Sequence, residues 1–147
     1  MKQNLVDILL VEDNINDAEM VIRELKKHHL ANNLIHLTDG EQALDFIFST
    51  GQFTGSNSFQ SQPKLILLDI QMPKINGLEV LEKIKSHPQL KSIPVVMLTS
   101  SKEHPDVQKS YEMGANSYIV KPVDFEGFAE AIKNLGFYWL LLNQPSS

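Results

Sequence analysis

Residues 65–73 read Leu-Ile-Leu-Leu-Asp-Ile-Gln-Met-Pro. The four residues Leu65–Leu68 form a short apolar run without helical period, which reads as a strand buried on both faces. Such strands belong to parallel sheets. Asp69 closes the run, and a carboxylate at the end of a wholly apolar strand needs a reason, because burying it unpaired is costly. Working outward, comparable runs occur at Val6–Val11, Asn33–Leu37, Ile93–Leu98 and Ser117–Val120. Between them lie stretches of helical period. In Ile15–His29, the residues Ile15, Ala18, Ile22 and Leu25 fall on one face. The others are Glu41–Phe48, Gly77–Lys85, Asp106–Met113 and Asp124–Leu142, with Gly114 as the glycine that ends the fourth helix. This alternation predicts an α/β fold, a five-stranded parallel sheet with right-handed crossovers and helices on both faces. Ligands then gather at the carboxyl ends of the strands.

Those ends carry polar chemistry. The first strand closes with Glu12-Asp13, the third with Asp69, the fourth with Thr99-Ser100-Ser101 and the fifth with Lys121-Pro122. Each has a plain alternative: the acids or hydroxyls cap helices, and the lysine is a surface lysine. Together they are harder to dismiss. Acids crowded in one cleft repel, so a hard divalent cation with oxygen ligands, such as Mg2+, is favoured there. A cation, an ammonium and a hydroxyl would stabilise a phosphoryl group arriving on a carboxylate.

Bulk properties narrow the class. The chain of 147 residues, 42% hydrophobic and 21% charged, suits one soluble domain. Its net charge of −5 and its single arginine, Arg23, argue against nucleic-acid binding. There is no cysteine, which excludes disulfides and thiolate chemistry. The amino-terminal stretch MKQNLVDILLVED is neither a signal peptide nor a membrane span, and the cytosol is the expected compartment.

The set Glu12-Asp13, Asp69 with Met72-Pro73 and Gly77, Thr99, and Lys121-Pro122 closely resembles the receiver domains of two-component response regulators, over almost the whole chain. The resemblance implies a flavodoxin-like doubly wound sheet of order 2-1-3-4-5. It implies that Asp69 is the phospho-acceptor, that Asp13, Asp69 and the carbonyl of Gln71 hold Mg2+ directly, and that Glu12 acts on the ion through water. Thr99 and Lys121 would bind the phosphoryl oxygens, and Tyr118 would be the switch aromatic. Pro122 would follow a cis bond, and Pro73 and Gly77 would be structural. A sensor histidine kinase would be the phosphate donor, and the chain itself would be a signalling switch rather than an enzyme.

Two stretches fall outside that pattern. Residues 51–63, rich in Gly, Ser, Asn and Gln, read as a loop insertion, either a tolerated one or a partner-specific one. Residues 136–147 extend the last helix, and Phe137, Tyr138, Leu140 and Leu141 lie off its core face. They either fold back over the core or form a symmetric homodimer patch. Together, loop and tail resemble the small response regulators paired with bacterial phytochrome kinases. The five histidines, His28, His29, His36, His87 and His104, have no convincing ligand spacing and read as structural or surface residues. Met20, Met97 and Met113 read as core fillers. Two rivals weaken on single residues. A phosphatase of this type wants a titrating group two residues past the nucleophile, where Gln71 stands. A flavin module wants a phosphate-cradling loop where Glu12-Asp13-Asn14 stands.

Overall fold

A computed structural model describes residues 8–28, 33–48, 63–72, 74–100 and 104–135. The strands are β1 (Ile8–Val11), β2 (Leu34–Leu37), β3 (Leu65–Asp69), β4 (Val95–Thr99) and β5 (Ser117–Val120). They alternate with α1 (Ile15–Lys27), α2 (Gly40–Phe48), α3 (Gly77–Lys85), α4 (His104–Glu112) and α5 (Phe125–Leu135). All pairings are parallel, in the order β2-β1-β3-β4-β5. The order implied by the resemblance is the one found.

Every residue of β1, β3 and β4 is buried, as expected for central strands covered on both sides. Successive side chains face opposite ways. Leu10, Leu67 and Leu98 pack with Ala18, Val21 and Leu25 of α1 and with Phe128 and Ala131 of α5. Leu9, Leu68 and Met97 pack on the other side with Ala43 and Ile47 of α2 and with Val80, Leu81 and Ile84 of α3.

Local signals fix the helix ends. Asn14, rather than the acidic pair before it, caps α1 by accepting the Asp17 N–H at 2.9 Å. Asn76 and Glu79 form a capping box at α3. The N–H of Phe125 donates to Glu24 Oε1 at 3.0 Å, and the His28 ring stacks on Phe125 at 3.7 Å between centroids, joining the end of α1 to the start of α5. Gly114 follows α4 with φ 106°, a conformation that suits glycine.

Some expectations shift. Ile15 is 54% exposed, because it is the first helical residue after the chain leaves the sheet; the buried stripe of α1 is Ala18, Val21 and Leu25. Met20 is 40% exposed and is no core filler. β3 extends through Asp69, and β4 begins only at Val95, after Pro94, which has no N–H for a ladder. Pro73, His29, residues 51–62 of the expected loop insertion, and the 136–147 extension with Phe137, Tyr138, Leu140 and Leu141 lie outside the described residues. No described helix is long and apolar enough to cross a membrane.

Candidate functional site

β1 pairs with both β2 and β3, so the chain changes direction across the sheet between β1 and β3. Their carboxyl ends carry Glu12 and Asp13 on one side and Asp69 on the other. β4 adds Thr99, and β5 adds Lys121. A cleft of about 240 Å3 opens there, lined by Asp13, Asp17, Asp69, Gln71, Thr99 and Lys121 among others. A larger groove between α2 and α3, about 650 Å3 with Leu44, Phe48 and His87 in its walls, shares no residue with it and gathers no comparable set of charges.

Glu12 is fully buried beneath the cleft. Its N–H continues the β1–β2 ladder to Leu37 O at 3.0 Å. One carboxylate oxygen accepts the Asn14 N–H at 3.1 Å, and the other accepts from Lys121 Nζ at 3.0 Å. Its backbone carbonyl lies 2.9 Å from His36 Nε2, which places the ring proton on that nitrogen. Held in this way, Glu12 presents the next residue, Asp13, to solvent at the cleft mouth.

Lys121 Nζ meets three carboxylates: Glu12 at 3.0 Å, Asp17 at 3.2 Å and Asp69 at 3.3 Å. Its own N–H donates to Thr99 O at 2.7 Å, which ties the end of β5 to that of β4. The Lys121–Pro122 peptide is cis. Burial disfavours the ammonium, but hydrogen bonds and charges from Glu12, Asp69 and Asp17 outweigh burial and raise its pKa above the ordinary lysine value. Asp69 goes the opposite way to most paired acids. Burial, and then the Glu12 charge, push its pKa up to about 8, with Lys121 offsetting only part of this.

One ammonium therefore serves Glu12, Asp17 and Asp69 while Asp13 adds a further acid at the cleft, and the crowding of acids favours a second cation. Carboxylate oxygens of Glu12, Asp13 and Asp69 lie within 4.8 Å of one another. Such an all-oxygen set with one exposed acid at its mouth suits a hard divalent ion that keeps part of its water, as Mg2+ does.

The remaining predicted residues are placed as follows. Thr99 is buried at the end of β4 and lines the cleft. Tyr118 is half-buried on β5, edge-on to Tyr111 at 5.9 Å, and packs against the core instead of lining the cleft. Pro122 is exposed. Gly77 is pressed onto the end of β3: a Cβ there would stand 2.1 Å from the Asp69 carbonyl oxygen. Its N–H donates to Ile70 O at 2.7 Å.

Two site residues escape sequence reasoning. Asp17 reads as an ordinary first-turn acid favoured by the helix dipole. His36 reads as one of several scattered histidines. Only the α1 geometry and the β1–β2 register bring them to Lys121 and Glu12.

A sequence model of the response regulator receiver domain matches residues 8–133. Response regulator Rcp1 of Synechocystis sp. is 40% identical over 133 residues, covering 90% of this chain and 88% of Rcp1. The bacteriophytochrome response regulator RtBRR is 50% identical with a TM-score of 0.85, covering 97% of this chain and 84% of RtBRR. For the bacteriophytochrome response regulator AtBRR the identity is 47% and the TM-score 0.83, over 95% of this chain and 99% of AtBRR. The Mn2+-bound form of Rcp1 gives 38% and 0.74, over 96% of this chain and 99% of that one.

Proposed function

The chain belongs to the response regulator receiver family, and from that premise we propose that it takes a phosphoryl group on Asp69 in a Mg2+-dependent reaction. The observation that carries this is the approach of Lys121 Nζ to Asp69 Oδ1 at 3.3 Å, where carboxylate oxygens of Glu12, Asp13 and Asp69 lie within 4.8 Å of one another. The donor is the phosphohistidine of a sensor kinase. The names of RtBRR and AtBRR support a kinase of the phytochrome type.

Receiver domains are signalling switches and not enzymes in the usual sense. In the transfer, an Asp69 carboxylate oxygen bonds phosphorus while the phosphorus–nitrogen bond of the donor breaks, and the imidazole nitrogen keeps the electron pair. Glu12, Asp13, Asp69 and the Gln71 carbonyl would hold Mg2+, and the Mn2+-bound form of Rcp1 supports a divalent ion at such a site. When bound, the ion supplies positive charge against both the acids and the phosphoryl oxygens. Lys121 adds a fixed ammonium, and the Thr99 hydroxyl donates to a phosphoryl oxygen. Tyr118, beside β4, follows the movement of Thr99, and the altered surface changes protein contacts.

The test is incubation with acetyl phosphate, with and without Mg2+, read by intact mass. One phosphate adduct is expected that needs Mg2+ and is absent in Asp69→Asn. An adduct in that variant moves the acceptor elsewhere, and no adduct on the folded wild type overturns the proposal.

A further inference from the structure

An ammonium has three protons to donate, and Lys121 spends them on three carboxylates, those of Glu12, Asp17 and Asp69, at 3.0, 3.2 and 3.3 Å. To bond an oxygen of a group arriving on Asp69 while staying beside Asp69 itself, it must give up Glu12 or Asp17. The cheapest to release is the one that water can take over. The Glu12 side chain is 0% exposed and that of Asp69 6%, whereas that of Asp17 is 33% exposed. Releasing Glu12 would strand a buried carboxylate, which is strongly unfavourable. Releasing Asp17 returns its carboxylate to solvent at the cleft wall, which it already lines.

We propose that Asp17 is the exchangeable partner of Lys121: its carboxylate holds the ammonium in the resting state and competes with the phosphoryl group for it. This rests on the reading of Asp69 as phospho-acceptor and adds a positioning residue that sets how readily the switch is thrown. Asp17 is well placed for the task. It sits in the first turn of α1, its backbone N–H is fixed by the Asn14 side chain at 2.9 Å, and only its carboxylate turns to the cleft. Because the competition is between two anions for one cation, removing the Asp17 charge favours the phosphorylated form. A residue that merely steadied Lys121 would have the opposite effect when neutralised.

The probe is beryllofluoride with Mg2+, a non-covalent stand-in for the phosphoryl group, titrated into the whole protein and followed by fluorine NMR. Asp17→Asn, matched in size and lacking the charge, should bind it about two- to fivefold more tightly than wild type, the range of a partly exposed ion pair. Thermal unfolding of the variant checks that it is folded. In wild type, the carboxyl carbon resonance of Asp17, assigned through the variant, should move toward that of a solvated aspartate as beryllofluoride binds. Equal or weaker binding by Asp17→Asn overturns the exchange, as does an Asp17 resonance that stays put. Failure of the wild type to bind beryllofluoride at all would instead overturn the assignment of Asp69, so the two failures are distinct.

Discussion

At the scale of single residues, Asp69 is where charge and burial conflict most. Its pKa, raised from 3.8 to about 8 in the metal-free protein, means that folding favours the protonated acid. The stability this contributes is whole below the unfolded value and is lost as pH rises through about 8. Asp69→Asn removes the ionisable group while keeping its size. In EDTA it should raise stability near pH 8 by about 1–3 kcal/mol and change it little near pH 4, as read by urea unfolding. An equal effect at both ends would mean that the acid is not strained by its surroundings. Asp69, Glu12, Asp13, Thr99 and Lys121 were all legible in the sequence, because polar residues at the ends of apolar runs stand out. Asp17 and His36 were not, since neither ends a strand. Their part depends on which way a helix turn or a neighbouring strand points them.

At the scale of elements, the strands were legible because parallel strands are apolar throughout, and their described boundaries moved by only one or two residues, as at Leu34, Asp69, Val95 and Thr99. In α1 the buried stripe is displaced from the periodic one, since periodicity alone does not say that Ile15 stands exposed at the helix start. The start of α3 shows how an element positions the site. Gly77 lets the helix begin against the backbone of Asp69, and an added Cβ would meet the carbonyl oxygen at 2.1 Å. Gly77→Ala should cost about 1–3 kcal/mol through forced backbone movement, and should slow labelling of Asp69 by acetyl phosphate. Its neighbour Asn76 is the control. Asn76→Ala loses the capping box and should cost about 1 kcal/mol without slowing labelling. If both variants slow it alike, α3 acts through general stability and not through contact with the end of β3.

At the scale of the molecule, the sheet order and the start of α1 bring one ammonium and four acids to the carboxyl end of the sheet, in a chain that already carries net charge −5. Repulsion there destabilises the folded state unless a cation is bound, so metal binding and folding are linked. Any ligand that binds only the folded chain adds stability by mass action, about 1.4–2.7 kcal/mol at ten- to a hundredfold excess over Kd. For a domain of this size that corresponds to a rise of roughly 5–10 °C in Tm. The pH dependence follows from Asp69. On the proposed ligation Mg2+ would need the ionised carboxylate, and below a pKa of about 8 it would have to displace a proton to bind. The Mg2+-induced rise in Tm should therefore be largest at and above about pH 8 and should shrink steadily toward about pH 5. On the proposed ligation it should be small at every pH in Asp69→Asn, which would remove a ligand. A rise in wild type that is the same at both pH values would place the ion on acids other than Asp69, and would leave the raised pKa of that residue without a part in metal binding.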